Sequence, residues 1–487
     1  MLSHPSTFLA TLLSATAHAA VDLDWHAPTQ TDVNNITTAF GGNGVYGFIF
    51  NSSNTPVDKY GTYNWCNMPH VRKTEYIKPS ADYSLKYVEV IHRHHKRTPY
   101  ASNAFPVEPY HWDCDDQGLY YYGQHLPAGS GNLSAHTYWD GYNSSVNPFV
   151  PSGWIGSCQF PQITSGGLDD SWAHGADLYG VYHDLLDLLP DKESGDWQSK
   201  VKYRVTTNQI TSQVAGMLIA GMWGAAGQDI PLLAQASTID SLEPAYSCAA
   251  GSALFSNIKS SSNAAWADHL TRATDLYAAL DAVSGVPADD AGFHSWFDHY
   301  YDNLSARQCH GKPLPCNATS GDCITQAQAD EVYRLGQWEY SQIYRDAGDS
   351  LAASVATYGV WVAELAAHLR AVVEGQAEVV YWHNVAHDGS LSRLLSILQI
   401  EQMVWPGMGS EVVFELWQKS GGSATAASRR DGSGSGFYAR VLFSGQTLRS
   451  SNPSLGVLDM VPVETLLAYF DGLVGQDASL VKAKCTA

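Results

Sequence analysis

Basic side chains are scarce in this sequence: 27 Lys and Arg stand against 48 Asp and Glu, for a formal net charge of −21. Such a balance excludes a broad electrostatic grip on nucleic acid or on anionic membrane surfaces. The patterns H-E-x-x-H, G-x-x-x-x-G-K and G-x-S-x-G are missing, which argues against the helical zinc hydrolases, the phosphate-cradling P-loop and the serine nucleophile elbow. No two of the eight cysteines form a C-x-x-C pair, so disulfides are expected in place of a thiolate metal site. Beyond the N-terminal region no stretch reaches the roughly 18 apolar residues that a membrane span needs. No internal repeat is found.

What is present points to export. The apolar stretch FLATLLSATA ends in the A-x-A pattern Ala17-His18-Ala19, read as a secretory signal peptide over 1–19 cleaved near Ala20. Cysteines 66, 114, 158, 248, 309, 316, 323 and 485 make an even set, and N-x-[ST] triplets stand at Asn35, Asn51, Asn132, Asn143, Asn303 and Asn317. The expectation is a secreted, soluble, extracellular glycoprotein with disulfides.

Residues 20–80 are rich in Gly, Asn, Thr, Pro and Tyr without periodicity, and read as an irregular N-terminal arm laid across the surface with little chemistry of its own. SLKYVEVI, Ser84 to Ile91, is a buried-type strand running directly into a basic cluster, HRHHKR. KVKYRV (Lys200 to Val205) and EVVYWHN (Glu378 to Asn384) repeat the pattern of strand, polar turn and helix, the helices being Ile210 to Trp223 and Ser390 to Met403. This grammar predicts an α/β core over 81–223 and 347–487, with three strand ends converging on one cleft. Residues 224–346 are mostly helical in pattern and read as an inserted cap, and Leu351 to Gly375 reads as a long buried helix returning to the core.

The basic cluster, Val90 to Tyr100, admits three readings. His92, His94 and His95 offer imidazoles for a metal, with His387 and Asp388 able to complete the set, although Arg93, Lys96 and Arg97 would repel a divalent ion. A basic run is otherwise most often a solvated turn. The third reading is an anion site, because Arg93 and Arg97 flank His94 and two guanidiniums bind the oxygens of an anion in a bidentate way. A phosphate ester rewards that arrangement, since phosphoryl transfer needs charge stabilisation and an in-line nucleophile. The surrounding cations keep the lone pair of His94 free, so the imidazole can act as the nucleophile.

Arg93-His94-His95-Lys96-Arg97-Thr98-Pro99 resembles the R-H-G-x-R-x-P signature of the histidine acid phosphatases, a branch of the histidine phosphatase superfamily. In the same order, QITSGGLDDSWAHGADLYGVY (Gln162 to Tyr182) resembles that family's L-T-x-x-G segment and following helix, VAHDGSLSRLL (Val385 to Leu395) its H-D motif, and VFELW (Val413 to Trp417) its F-E-L strand. The resemblance spans about Val88 to Leu448. It implies a histidine-phosphatase-like α/β sandwich with a mainly helical cap, His94 as the phosphorylated nucleophile, and Arg93, Arg97 and His387 around the phosphoryl group. It further implies that Asp388 protonates the leaving alcohol, for which it must carry its proton when substrate is bound. No metal or organic cofactor is expected, and the partner is a small-molecule phosphate monoester, with no nucleic acid and no membrane.

Two positions depart from the pattern. The family takes a third phosphate-binding arginine from a turn like R-S-T-x-x-x-R-T, whereas RVTTNQITSQ (Arg204 to Gln213) places Ile210 or Asn208 there. His95 replaces a glycine, and its imidazole is a candidate source of the missing charge at acidic pH. Two functions follow: a secreted acid phosphatase working through a phosphohistidine, or a catalytically weakened relative that binds a phosphorylated sugar or glycan.

Overall fold

The computed structural model describes residues 21–45, 56–106, 111–116, 119–122, 137–142, 144, 146–150, 155–195, 197–224, 229–420 and 435–486. The expected signal peptide and the triplets at Asn51, Asn132 and Asn143 lie outside the described residues.

An eight-stranded mixed sheet forms the centre. Its strands are β1 (Tyr83–Arg93), β2 (Val201–Val205), β3 (Leu232–Leu233), β4 (Tyr381–Ala386), β5 (Glu411–Lys419), β6 (Phe437–Phe443), β7 (Gln446–Thr447) and β8 (Val461–Pro462). The order is β7-β6-β5-β1-β4-β2-β3, with β8 paired to β6. β1 runs parallel to β4 and antiparallel to β5, so the sheet changes sense at β1. Both of its neighbours leave their backbone ends beside the basic cluster: Arg93 N–H donates to Ser410 O at 2.8 Å and His94 N–H to Ala386 O at 3.0 Å.

The helices that matter here are α1 (Ser165–Tyr179), α2 (Gln209–Trp223), α3 (Ala249–Ile258), α4 (Asp298–Cys309), α5 (Gln326–Ser341), α6 (Ser350–Val373), α7 (Asp388–Ile397) and α8 (Val463–Val474). The two-residue period of β1 sorts its side chains between them. Val88 and Val90 join Leu178 of α1 and Leu218 of α2 in one core, whereas Tyr87 and Ile91 join Trp361 and Leu365 of α6 in the other. That α/β sandwich is the expected fold class. Within 224–346, β3 belongs to the central sheet, and the helical stretch follows it.

Several expectations need correction. Part of the arm is core: Trp65, Cys66, Met68 and Val71 are buried, and Trp65 lies against Tyr301 and Trp405. Aromatic and sulfur-bearing side chains without periodicity can still fill a core when distant elements close over them. Helix α6 is long and apolar enough to cross a membrane, contrary to the reading of the hydrophobic runs, but 78% of its most apolar window is buried inside the molecule. It is a core helix between the sheet and α3. Asn303 is 2% exposed and donates from Nδ2 to Asn103 O at 2.8 Å, so that triplet is closed to glycosylation in the folded chain. The helix expected to reach Met403 stops at Ile397, before Gln399 at φ +49°.

All eight cysteines pair, as Cys66–Cys309, Cys114–Cys158, Cys248–Cys485 and Cys316–Cys323. The first ties the arm to α4 and the third ties the start of α3 to the C-terminal residues.

Candidate active site

The parallel pairing of β1 and β4 places Arg93 opposite Ala386, so the residues following both strands face one cavity. Its volume is about 320 Å³, and Arg93, His94, Arg97, His387 and Asp388 all line it. The structure thus brings the five candidate residues together from two segments almost 300 positions apart.

Each is held by specific contacts. The Arg93 guanidinium stacks 4.5 Å from the Trp65 ring, donates to Pro406 O at 2.7 Å and lies 3.2 Å from Asp388 Oδ2. Arg97 stacks 4.3 Å from Tyr100 and pairs with Asp302 at 3.0 Å. Asp302, on α4, also accepts from Asn103 Nδ2 at 2.8 Å and from the Tyr100 N–H at 3.1 Å. A carboxylate with this many partners fixes the arginine's fork and leaves the site ready before substrate arrives.

His94 Nδ1 lies 3.0 Å from the carbonyl of His95. A carbonyl only accepts, so Nδ1 carries the hydrogen and Nε2 keeps its lone pair. Burial first, then Arg97 and Arg93, hold the imidazole well below its usual protonation range. His387, the N-cap position of α7, has Nε2 at 3.1 Å from Thr206 Oγ1, just past β2; burial pushes its pKa down too.

Asp388 opens α7. Its Oδ1 accepts the N–H of Gly389 at 2.8 Å and its Oδ2 the indole N–H of Trp405 at 2.8 Å. Burial alone would raise its pKa, but Arg93, the Trp405 hydrogen bond and Arg97 outweigh it and the carboxyl is held below its usual range. In the unliganded site Asp388 is therefore a carboxylate paired with Arg93.

The departures resolve differently. Asn208 caps α2 by accepting from Ile210 N–H, and its Nδ2 donates to Tyr100 OH at 3.3 Å; Ile210 is core. Neither lines the cavity. His95 does not supply charge to it either. The ring is buried on the opposite side of the strand end, with Nε2 at 3.1 Å from His174 Nδ1 and its pKa driven down by burial. Gly409, at φ +71°, makes the room: a Cβ there would stand 2.4 Å from His95 Cε1. The metal set drawn from His92, His94 and His95 is likewise split, because His94 faces the cavity and the other two do not. Lys96, buried, pairs with Asp170 at 3.0 Å.

Sequence reading missed the rest of the wall. Arg393, on α7, adds a third guanidinium to the lining, anchored to Gly389 O at 2.8 Å and Thr357 Oγ1 at 3.0 Å. Tyr340 and Trp405 stack at 3.9 Å and form an aromatic side. Glu243 and Asp298 add acids whose pKa values burial pushes up. The only sequence signal among these was the place of Arg393 on the helix that Asp388 opens.

No family model matches the chain. Among curated proteins it is similar to Counting factor 60 of Dictyostelium discoideum, at 26% identity over 347 residues, covering 69% of this chain and 76% of that protein. It is also similar to 2-phosphoxylose phosphatase 1 of Danio rerio, at 29% identity over 161 residues, covering 30% of this chain and 31% of that protein. Among solved structures, the phytase of Hafnia alvei in complex with tartrate aligns over 82% of this chain and 99% of its own, with a TM-score of 0.51 and 13% identity. The phytase of Citrobacter braakii aligns over 82% and 100%, with a TM-score of 0.51 and 12% identity. The fold is that of the histidine acid phosphatases. Its solved neighbours in fold include phytases.

Proposed function

We propose that the chain is a secreted phosphomonoesterase that works through a phosphohistidine. The observation that carries this reading is the imidazole of His94, fixed with its Nε2 lone pair available, in a cavity it shares with Arg93, Arg97, His387 and Asp388. The four disulfides support an oxidising, extracellular setting.

The phosphoryl oxygens take the place of Asp388 as partner of Arg93 and bind the N–H groups of Arg97 that Asp302 does not hold. His94 Nε2 forms a bond to phosphorus as the P–O bond to the alcohol breaks. The departing oxygen takes a proton from Asp388, and the electron pair of the broken bond stays with that oxygen. A phosphate monoanion can bring the proton in, because the second phosphate ionisation lies near pH 6. Once phosphate occupies Arg93, the interaction that favours ionised Asp388 weakens, and the carboxyl accepts that proton. In the second half Asp388 takes a proton from water, whose oxygen attacks phosphorus and releases His94.

Arg393 supplies a third positive charge from α7, in place of the arginine absent after β2. When ionised, Glu243 and Asp298 disfavour a second phosphate on the substrate, which separates this cavity from one built for polyphosphates. The aromatic side of Tyr340 and Trp405 suits a hydroxyl-bearing ring. A singly phosphorylated sugar fits these constraints, and the partial relative is named for 2-phosphoxylose.

The test is phosphate release from sugar monophosphates and an aryl phosphate, at acidic and neutral pH, combined with rapid quench to trap label on His94. Absence of release from every ester, with phosphate still bound, would favour the alternative of a weakened relative that binds a phosphorylated sugar or glycan. The lack of an arginine after β2 is the observation behind that second reading.

A further inference from the structure

On the α1 side of β1, away from the cavity, lies a sealed group of imidazoles that the proposed reaction does not use. His92 ends the alternation of Val88 and Val90 and so faces α1, where His174 meets it; His95 closes the group from the following loop. All three are buried, and one ring nitrogen of each lies within 4.8 Å of those of the other two.

The hydrogen bonds of His92 and His174 leave lone pairs turned inward. His92 Nδ1 donates to the Arg93 carbonyl at 2.8 Å, so Nε2 is the bare nitrogen, and it has no hydrogen-bond partner among the described residues. His174 Nε2 lies 3.0 Å from Glu411 Oε2, a carboxylate behind an imidazole, which leaves Nδ1 facing His95 Nε2 at 3.1 Å. Two ligands of a tetrahedral zinc ion at about 2.0–2.1 Å stand roughly 3.3 Å apart. The carboxylate, and the carbonyl behind His92, are the outer partners that orient metal-binding histidines. His383 stands next to the group, with its ring 4.8 Å from that of His92 and its Nε2 also without a hydrogen-bond partner among the described residues.

We propose that His92, His95 and His174 hold one divalent transition-metal ion, zinc foremost, with His383 as the candidate fourth ligand. Binding needs no redox step. His95 moves its hydrogen from Nε2 to Nδ1, and three neutral imidazoles donate lone pairs. Burial keeps all three neutral, as ligation requires. All-imidazole donors select zinc, copper or nickel over magnesium or calcium. The ion ties β1 and the loop after it to α1, and so braces from behind the segment that carries His94 and Arg97. Because the group is sealed, the ion enters as the chain folds.

The experiment is elemental analysis of the full chain, expressed with zinc, copper and nickel in the medium and purified without chelator. About one transition-metal ion per chain is expected, retained through dialysis against EDTA. His95→Gly and His174→Gln, each checked for folding by circular dichroism, should retain less than about a tenth of it. Refolding the wild type with cobalt should give the visible absorption of a tetrahedral nitrogen site, a readout that stands even if both variants fail to fold. Wild type without metal, and with no rise in Tm on refolding with zinc, overturns the proposal; so does equal retention in folded variants. None of these readouts is phosphate release, so the outcome is separate from that of the phosphatase reading.

Discussion

His94 and the pair His92 and His95 share one strand end but look into different worlds. His94 faces an open cavity with Arg93, Arg97 and Asp388, whereas His92 and His95 face a buried group of imidazoles, with Glu411 beyond. Burial is the first cause of the low pKa on both sides. The second cause differs: Arg97 for His94, and His174 for the other two. The contrast teaches that the direction of a side chain at a strand end, more than its neighbours in sequence, sets what a neutral imidazole can do.

The sharpest way to break the comparison is to remove one imidazole from each side. His94→Ala should reduce phosphate release by at least about 10³-fold, as loss of a covalent nucleophile does; His95→Gly should cost far less, and equal losses measured in the same assay would contradict the division. Asp388→Asn comes next, with kcat down about 10²- to 10⁴-fold on alkyl phosphates. On an aryl phosphate, whose leaving group needs little protonation, the loss should be smaller, and steady-state kinetics on both esters reads the difference.

A third prediction probes the sealed side. Gly409→Ala brings a methyl group against the His95 ring at a backbone angle that favours glycine, and should destabilise the chain by about 1–3 kcal/mol in denaturant unfolding. In the His95→Gly background the steric part disappears, so the double-mutant cycle should show coupling. The smallest effect concerns pH. Since the reactive form of His94 is neutral and its pKa is lowered, kcat/KM should persist as pH falls through about 6.5, where an ordinary imidazole protonates. A decline centred there would mean that neither burial nor the arginines hold the His94 imidazole neutral.

The legible part of this molecule is the part encoded locally. β1 and β4 show in their β-branched and aromatic runs, and the groups following them, Arg93, His94, Arg97, His387 and Asp388, occupy one cavity because the two strands pair in parallel. What could not be read depends on distant packing: Trp65 beneath Arg93, Asp302 of α4 against Arg97, and Trp405 on Asp388. The side taken by His95 was equally hidden, because it is decided by space left at position 409. Eight cysteines suggested bridges, but their partners lie up to 243 positions apart.

The contact between His95 and Gly409 also makes the two positions interdependent. A side chain at 409 would meet the His95 ring, and the positive φ there favours glycine in any case. Position 409 is therefore held twice over, by its own backbone angle and by the imidazole that rests against it.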